Sequence, residues 1–398
     1  MTEGLADAHN RATEGHVHLY RRWSEGGAGL LISGNVQVDR WHLERPGNVA
    51  VDQNGGLEQL TAYAKAGTVN GNHLWMQISH AGRQTPVAVN PSPLAPSAVP
   101  LALPMGFGQP REMSEAEILD VIERFGRVAA TAKDVGFTGV QVHGAHGYLL
   151  SQFLNPLANR RTDCWGGPLE NRARLLLEVI RKVRTAVGPS FPVAVKLNSA
   201  DFQKGGFSAD EAEQVVRWLD AESVDFLEIS GGSYEQPAMV RGVANDDPAR
   251  KESARRREAY FLEFASRLRP AASMAFMVTG GFRSHKGMEE ALKSGDLDVV
   301  GIARPFCTEP DLPNLLLAGT RERTSSWEAT LRLDHASLPA DLDESILKAM
   351  EGWSVQGWFC VQLLRMGRGE NPDPDLPLSE AFAAYQANEA ASASALVR

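Results

Sequence analysis

Residues 114–148 read SEAEILDVIERFGRVAATAKDVGFTGVQVHGAHGY. Ser114 is an N-cap and Glu117 follows three residues later, which makes a capping box and opens a helix over Ser114–Val135. Gly139–Val142 (GVQV) is short, β-branched and flanked by glycine, as a strand covered on both faces should be. A glycine-broken segment with two histidines and a tyrosine follows it. Helix, buried strand and polar turn together make one unit of a parallel α/β fold.

The unit repeats in both directions. Further strand-like runs lie at Leu30–Ser33, Leu74–Ile78, Val193–Leu197, Phe226–Ile229, Phe276–Thr279 and Asp298–Ile302. Helical patterns fall at Thr13–Glu25, Glu170–Val187, Ser208–Ala221 and Ala259–Leu268. This alternation predicts a parallel sheet with right-handed crossovers. The fold class is α/β, a (β/α)8 TIM barrel. Seven runs are visible where a closed barrel has eight. The absent one is the first, since only a stub precedes Thr13, so the first strand is expected to be missing or truncated at the N-terminus.

The chain has 398 residues, 43% hydrophobic and 22% charged, which excludes wholesale disorder. Forty Lys and Arg against 49 Asp and Glu give a net charge of −9, a poor match to nucleic acid or an anionic membrane. The three cysteines, Cys164, Cys307 and Cys360, form no CxxC-type cluster. That argues against a zinc ribbon, an iron–sulfur centre or a disulfide framework. No run is long enough for a membrane span and the start lacks a signal-peptide pattern, so the expected location is the cytoplasm. One domain over 1–385 is expected. The Pro-rich stretch 85–112 is read as a capping excursion over the catalytic mouth, and the low-complexity tail 386–398 as frayed.

Strand C-termini and the loops after them carry the chemistry of such barrels. Gln77 ends one run and His80-Ala-Gly-Arg83 follows. Gly280, Gly281, Gly301, Ala303 and Arg304 lie in the turns after the last two runs. Small residues and a guanidinium there suit a phosphate, against the plainer reading of two βα turns with a solvated arginine. His143 and His146 can converge on one oxygen and stabilise charge developing on it, with Tyr148 as a proton donor. They could equally ligate a metal, although no third ligand lies nearby, or satisfy buried carbonyls. Lys196 could form a Schiff base, act as a fixed cation, or pair with Glu228.

These residues carry a resemblance. HGAHGYLLSQFLNPLANRRTDCWGGPLENRAR (143–174), QISHAGRQ (77–84), VTGGF (278–282), GIARPF (301–306) and GWFCVQLLRMGRGENPD (357–373) resemble, in order and spacing, the old yellow enzyme family of flavin-dependent ene-reductases. The resemblance extends to about Tyr385. It implies a barrel holding FMN noncovalently, reduced by NADH or NADPH, that reduces an electron-poor alkene by ping-pong hydride transfer. By motif, Gln77 would bond the flavin pyrimidine edge. Lys196 stands where the family usually has arginine, keeping the charge but losing the fork. Gly280, Gly281, Gly301, Ala303 and Arg304 would hold the phosphate. Thr2 and Asn35 would touch the flavin near its reactive edge. His143 and His146 would bind the carbonyl or nitro oxygen, and Tyr148 would protonate the carbon. No metal is implied, and a homo-oligomer is compatible. The alternatives are a truncated flavin barrel with little turnover, or a Schiff-base aldolase using Lys196.

Overall fold

The structure is a computed structural model that describes residues 2–103, 106–232, 235, 262–333 and 344–397. Met1 and residues 259–261 of the expected helix at Ala259–Leu268 lie outside the described residues; 262–268 are helical.

Seven parallel strands form the main sheet: β1 Leu30–Gln37, β2 His73–Ser79, β3 Gly139–Gly144, β4 Val193–Asn198, β5 Phe226–Ser230, β6 Ala275–Thr279 and β7 Val299–Gly301. Each pairs with its sequence neighbours, in the order β1 to β7. Helices fill the crossovers. α1 Glu14–Glu25 precedes the sheet and α2 Leu57–Ala66 joins β1 to β2; α3 Glu115–Asp134 leads into β3, with the expected Ser114–Glu117 capping box. α4 Leu149–Leu154 and α5 Leu169–Val187 lie between β3 and β4, and α6 Ala209–Ala221 between β4 and β5.

The sheet is curled. Trp75 on β2 and Phe226 on β5 meet edge to face at 5.2 Å, although β3 and β4 lie between them. Ile32 and Val299, from the two edge strands, pack into the same cluster as Trp75, Ala194, Phe226 and Met277. That cluster is the barrel interior. No eighth strand pairs with β1 or β7 among the described residues, so seven runs become seven strands of a TIM-barrel fold.

Continuous hydrophobicity understated the interior. Strand side chains alternate with period two, and every second residue along β2 to β5 faces inward. The low ones are apolar or small: Trp75, Gly139, Ala194 and Phe226. A Cβ at Gly139 would lie 2.5 Å from the Trp75 indole nitrogen, so glycine there makes room for the ring. The inward positions nearer the strand ends are polar: Gln77, Gln141 and His143, Lys196 and Asn198, Glu228 and Ser230. All are buried.

β1 has an irregularity between Ile32 and Asn35. There Gln77 N–H donates to Ser33 Oγ at 2.8 Å, and Gly34 N–H donates to the Glu3 carboxylate at 2.8 Å. The extra residue re-aims the strand end, a common use of a bulge beside a site.

The 85–112 excursion is pinned to loops that follow strand ends. Leu94 N–H donates to His42 Nε2 at 3.0 Å, and Arg83 and Arg161 reach the Val99 and Pro96 carbonyls. The expectation of a frayed tail is corrected. Leu378–Ala395 is one helix, Arg45 Nε donates to Glu389 at 3.1 Å, and Val397 N–H donates to Ala8 O at 2.9 Å. The tail's low-complexity composition is alanine-rich, which favours helix, and the buried Arg45 anchors it.

Candidate active site

The segment after β3 is tightly folded. His146 (φ 60°) and Gly147 (φ 77°) are left-handed, and Ala145 N–H donates to His143 Nδ1 at 3.2 Å. That bond places the neutral ring's proton on Nε2. His143 Nε2 is buried without a partner. His146 N–H donates to Asn198 Oδ1 at 3.2 Å, and its Nε2 shares a 2.6 Å hydrogen bond with Ser230 Oγ. The two imidazoles meet at 5.1 Å, and the His143 ring lies 4.8 Å from that of Tyr148. Asn35 Nδ2 donates to the Tyr148 hydroxyl at 3.3 Å, bringing the bulged end of β1 to the end of β3. Burial pushes both imidazole pKa values well below their ordinary range, and the Lys196 cation adds to this, so both rings are neutral at pH 7.

A second group crosses the barrel. Gln77 Nε2 donates to Gln141 Oε1 at 2.6 Å, and Gln141 Nε2 donates to Glu228 Oε2 at 2.8 Å. Lys196 Nζ pairs with Glu228 Oε1 at 2.8 Å, the least exotic of the three readings of that lysine. Burial pushes the Glu228 carboxyl up, but the ammonium outweighs it and holds the pKa below the ordinary value. A Schiff base needs a free amine, and this ammonium is tied to a buried carboxylate. Gln77 Oε1 is buried without a partner. Gln141 and Glu228 were missed as site residues. The signal was present: VQV, VKL and LEI each set one polar residue inside an apolar strand.

The two glycine turns also come together. Gly280 and Gly281 have φ of 100° and 86°, and Gly280 N–H donates to Gly301 O at 3.2 Å. A Cβ at Gly301 would lie 2.1 Å from Thr279 Oγ1. Ala303 leads into the turn Arg304–Cys307. Arg304 and Arg283 share the Glu328 carboxylate at 3.4 and 2.5 Å. Arg283 was missed, although it follows VTGGF directly. Thr2 is buried and its hydroxyl accepts from Asn48 Nδ2 at 2.9 Å.

Asp39, His42 and His80 bring potential metal-ligating atoms within 4.8 Å of one another, a grouping the sequence did not suggest. Both nitrogens of His42 are engaged, by Asp39 and by Leu94 N–H. Among the described residues, no helix is long and apolar enough to cross a membrane.

Residues 1–322 match the family model described as NADH:flavin oxidoreductase / NADH oxidase. The chain belongs to this family. Its relatives include the NADH-dependent flavin oxidoreductase iccE of Talaromyces variabilis, 37% identical over 92% of this chain and 93% of the relative. The NADH-dependent flavin oxidoreductase iliE of a Neonectria species is 40% identical over 78% of this chain, but the match spans only 43% of that longer protein. A 2-naphthoyl-CoA reductase complex superposes with a TM-score of 0.73 at 25% identity, covering 80% of this chain and 49% of the other. The old yellow enzyme homologue from Zymomonas mobilis superposes with a TM-score of 0.67 at 23% identity, over 81% of this chain and 88% of the other.

The cofactor of this flavin oxidoreductase is FMN, with a nicotinamide nucleotide as reductant. The donor set fits it. An unpartnered buried acceptor on Gln77 and another on Asn35 suit a ring edge bearing N–H groups. The glycine turns with two guanidiniums suit a phosphate.

Proposed function

We propose that this flavin oxidoreductase reduces alkenes conjugated to a carbonyl or nitro group, using residues 1–385 as one catalytic domain. The observation that carries the reading is the buried, unpartnered Nε2–H of His143 set beside Tyr148.

Gln77, Lys196, Asn35 and Thr2 would hold the isoalloxazine of FMN. Gly280, Gly281, Gly301, Ala303 and Arg304 would hold its phosphate. When bound, FMN supplies the hydride that a nicotinamide nucleotide provides. His143 donates from Nε2 to the substrate oxygen, and His146, oriented by Ser230 and Asn198, flanks it. Such bonds strengthen as that oxygen gains charge. Because both rings are neutral, they bind the oxygen without bringing a cation that would need its own partner. Tyr148 gives its proton to the α-carbon. The Asn35 amide donates to the Tyr148 oxygen, so it both orients the hydroxyl and supports the charge left when the proton departs.

The test is stopped-flow kinetics with NADH or NADPH and cyclohexenone. Tyr148→Phe should slow alkene reduction by 10²-fold or more, on the order of a lost general acid, while flavin reduction keeps its rate. His143→Ala should weaken the binding of phenols, which mimic the polarised oxygen. Equal losses in both half-reactions for Tyr148→Phe would refute the proton-donor role.

A further inference from the structure

We infer that Glu228 is a positioning residue for the flavin: through Gln141 it fixes which way the Gln77 amide faces, and through Lys196 it tempers the positive charge the site presents. The inference rests on the reading that Gln77 and Lys196 hold FMN.

The first half follows from hydrogen-bond polarity. An ionised carboxylate can only accept. Glu228 Oε2 therefore takes the NH2 end of Gln141, at 2.8 Å. Gln141 must then turn its oxygen to β2, where it accepts the NH2 end of Gln77 at 2.6 Å. Gln77 is left with its oxygen as the outer group, and that oxygen is buried and unpartnered. One buried charge on β5 thus dictates, across β3, that β2 presents an acceptor. A ligand edge with an N–H donor, such as the imide of the flavin pyrimidine ring, is matched. An edge offering only acceptors is rejected, because a buried unmatched pair of oxygens is costly.

The second half is electrostatic. Lys196 Nζ lies 2.8 Å from Glu228 Oε1, and both side chains are buried. Reduction of FMN adds negative charge, which a lone cation would favour. A cation already paired with a carboxylate favours it less. Glu228 therefore holds the flavin potential below the value that Lys196 alone would set.

The experiment is potentiometry and FMN titration on holoenzyme variants. Glu228→Gln keeps the shape, removes the charge and lets residue 228 donate or accept. It should favour reduced over oxidised FMN by about tenfold, an upward shift of about 30 mV for a two-electron couple. Gln141→Leu cuts the amide relay without touching the ion pair, and should weaken FMN binding about tenfold at an unmoved potential. A Glu228→Gln holoenzyme with wild-type potential and wild-type FMN affinity overturns the inference. If Glu228→Gln does not fold, Gln141→Leu decides, and unaltered FMN affinity overturns the relay. If Lys196→Met changes neither quantity, FMN does not lie against these residues, and the underlying reading falls with the inference.

Discussion

His143 and His80 use the same local device. Each accepts, at Nδ1, the backbone N–H two residues ahead, from Ala145 and Gly82 respectively. Each thereby carries its proton on a buried Nε2 that has no partner. One of them points the reading of function, because Tyr148 and His146 stand beside it. Asp201 supports the same segment from the loop after β4: Asn198 Nδ2 donates to Asp201 Oδ1 at 2.8 Å, while Asn198 Oδ1 takes the His146 N–H. Burial pushes the Asp201 carboxyl up to about 6, with Glu211 adding to the shift and Arg83 opposing it. The folded state therefore binds this proton more tightly than the unfolded one. Its contribution to stability is present at low pH and is lost as pH rises from the ordinary carboxylate range through about 6. Chemical denaturation of Asp201→Asn between pH 4 and 8 should show that loss removed, by roughly 3 kcal/mol at most. A variant with the wild-type pH slope would show that Asp201 does not titrate there.

Among the elements, the turns after β6 and β7 separate two kinds of glycine. Gly280 has φ 100° and nothing within 4 Å of an added Cβ. Gly301 has no such φ, but its added Cβ would run into Thr279. Gly280→Ala should cost about 1–2 kcal/mol through backbone strain alone. Gly301→Ala should cost about 1–3 kcal/mol through overpacking, and Thr279→Ala, which removes Oγ1 but keeps the Cβ at 2.9 Å, should relieve it in part while leaving Gly280→Ala unrelieved. Thermal unfolding of the two singles and the two doubles checks this, and rescue of both would refute it. Both glycines were legible in the sequence, because a turn after a strand is a local pattern. The bulge in β1 was not. It depends on Glu3 reaching Gly34 across 31 positions, and no local periodicity announces that contact.

For the whole molecule, FMN should bind the folded state and not the unfolded one. At a hundredfold excess over its dissociation constant it should add about 2.7 kcal/mol of stability. A melting temperature that fails to rise with FMN would contradict the cradle built from the glycine turns. The order of helices and strands, the barrel class and the residues at strand ends could be read from sequence. Those features follow from capping boxes, β-branched runs and glycine breaks, which act within a few residues. The tail 386–398 shows the limit: its composition suggested fraying, yet its residues up to Ala395 continue one helix that the distant, buried Arg45 bonds at Glu389. The curl that brings Trp75 to Phe226, the chain from Gln77 to Lys196, and the meeting of Asn35 with Tyr148 were decided by tertiary structure. Each joins strands far apart in sequence, and hydrogen-bond polarity and buried charge acquire a direction only once those strands face one another across a common interior.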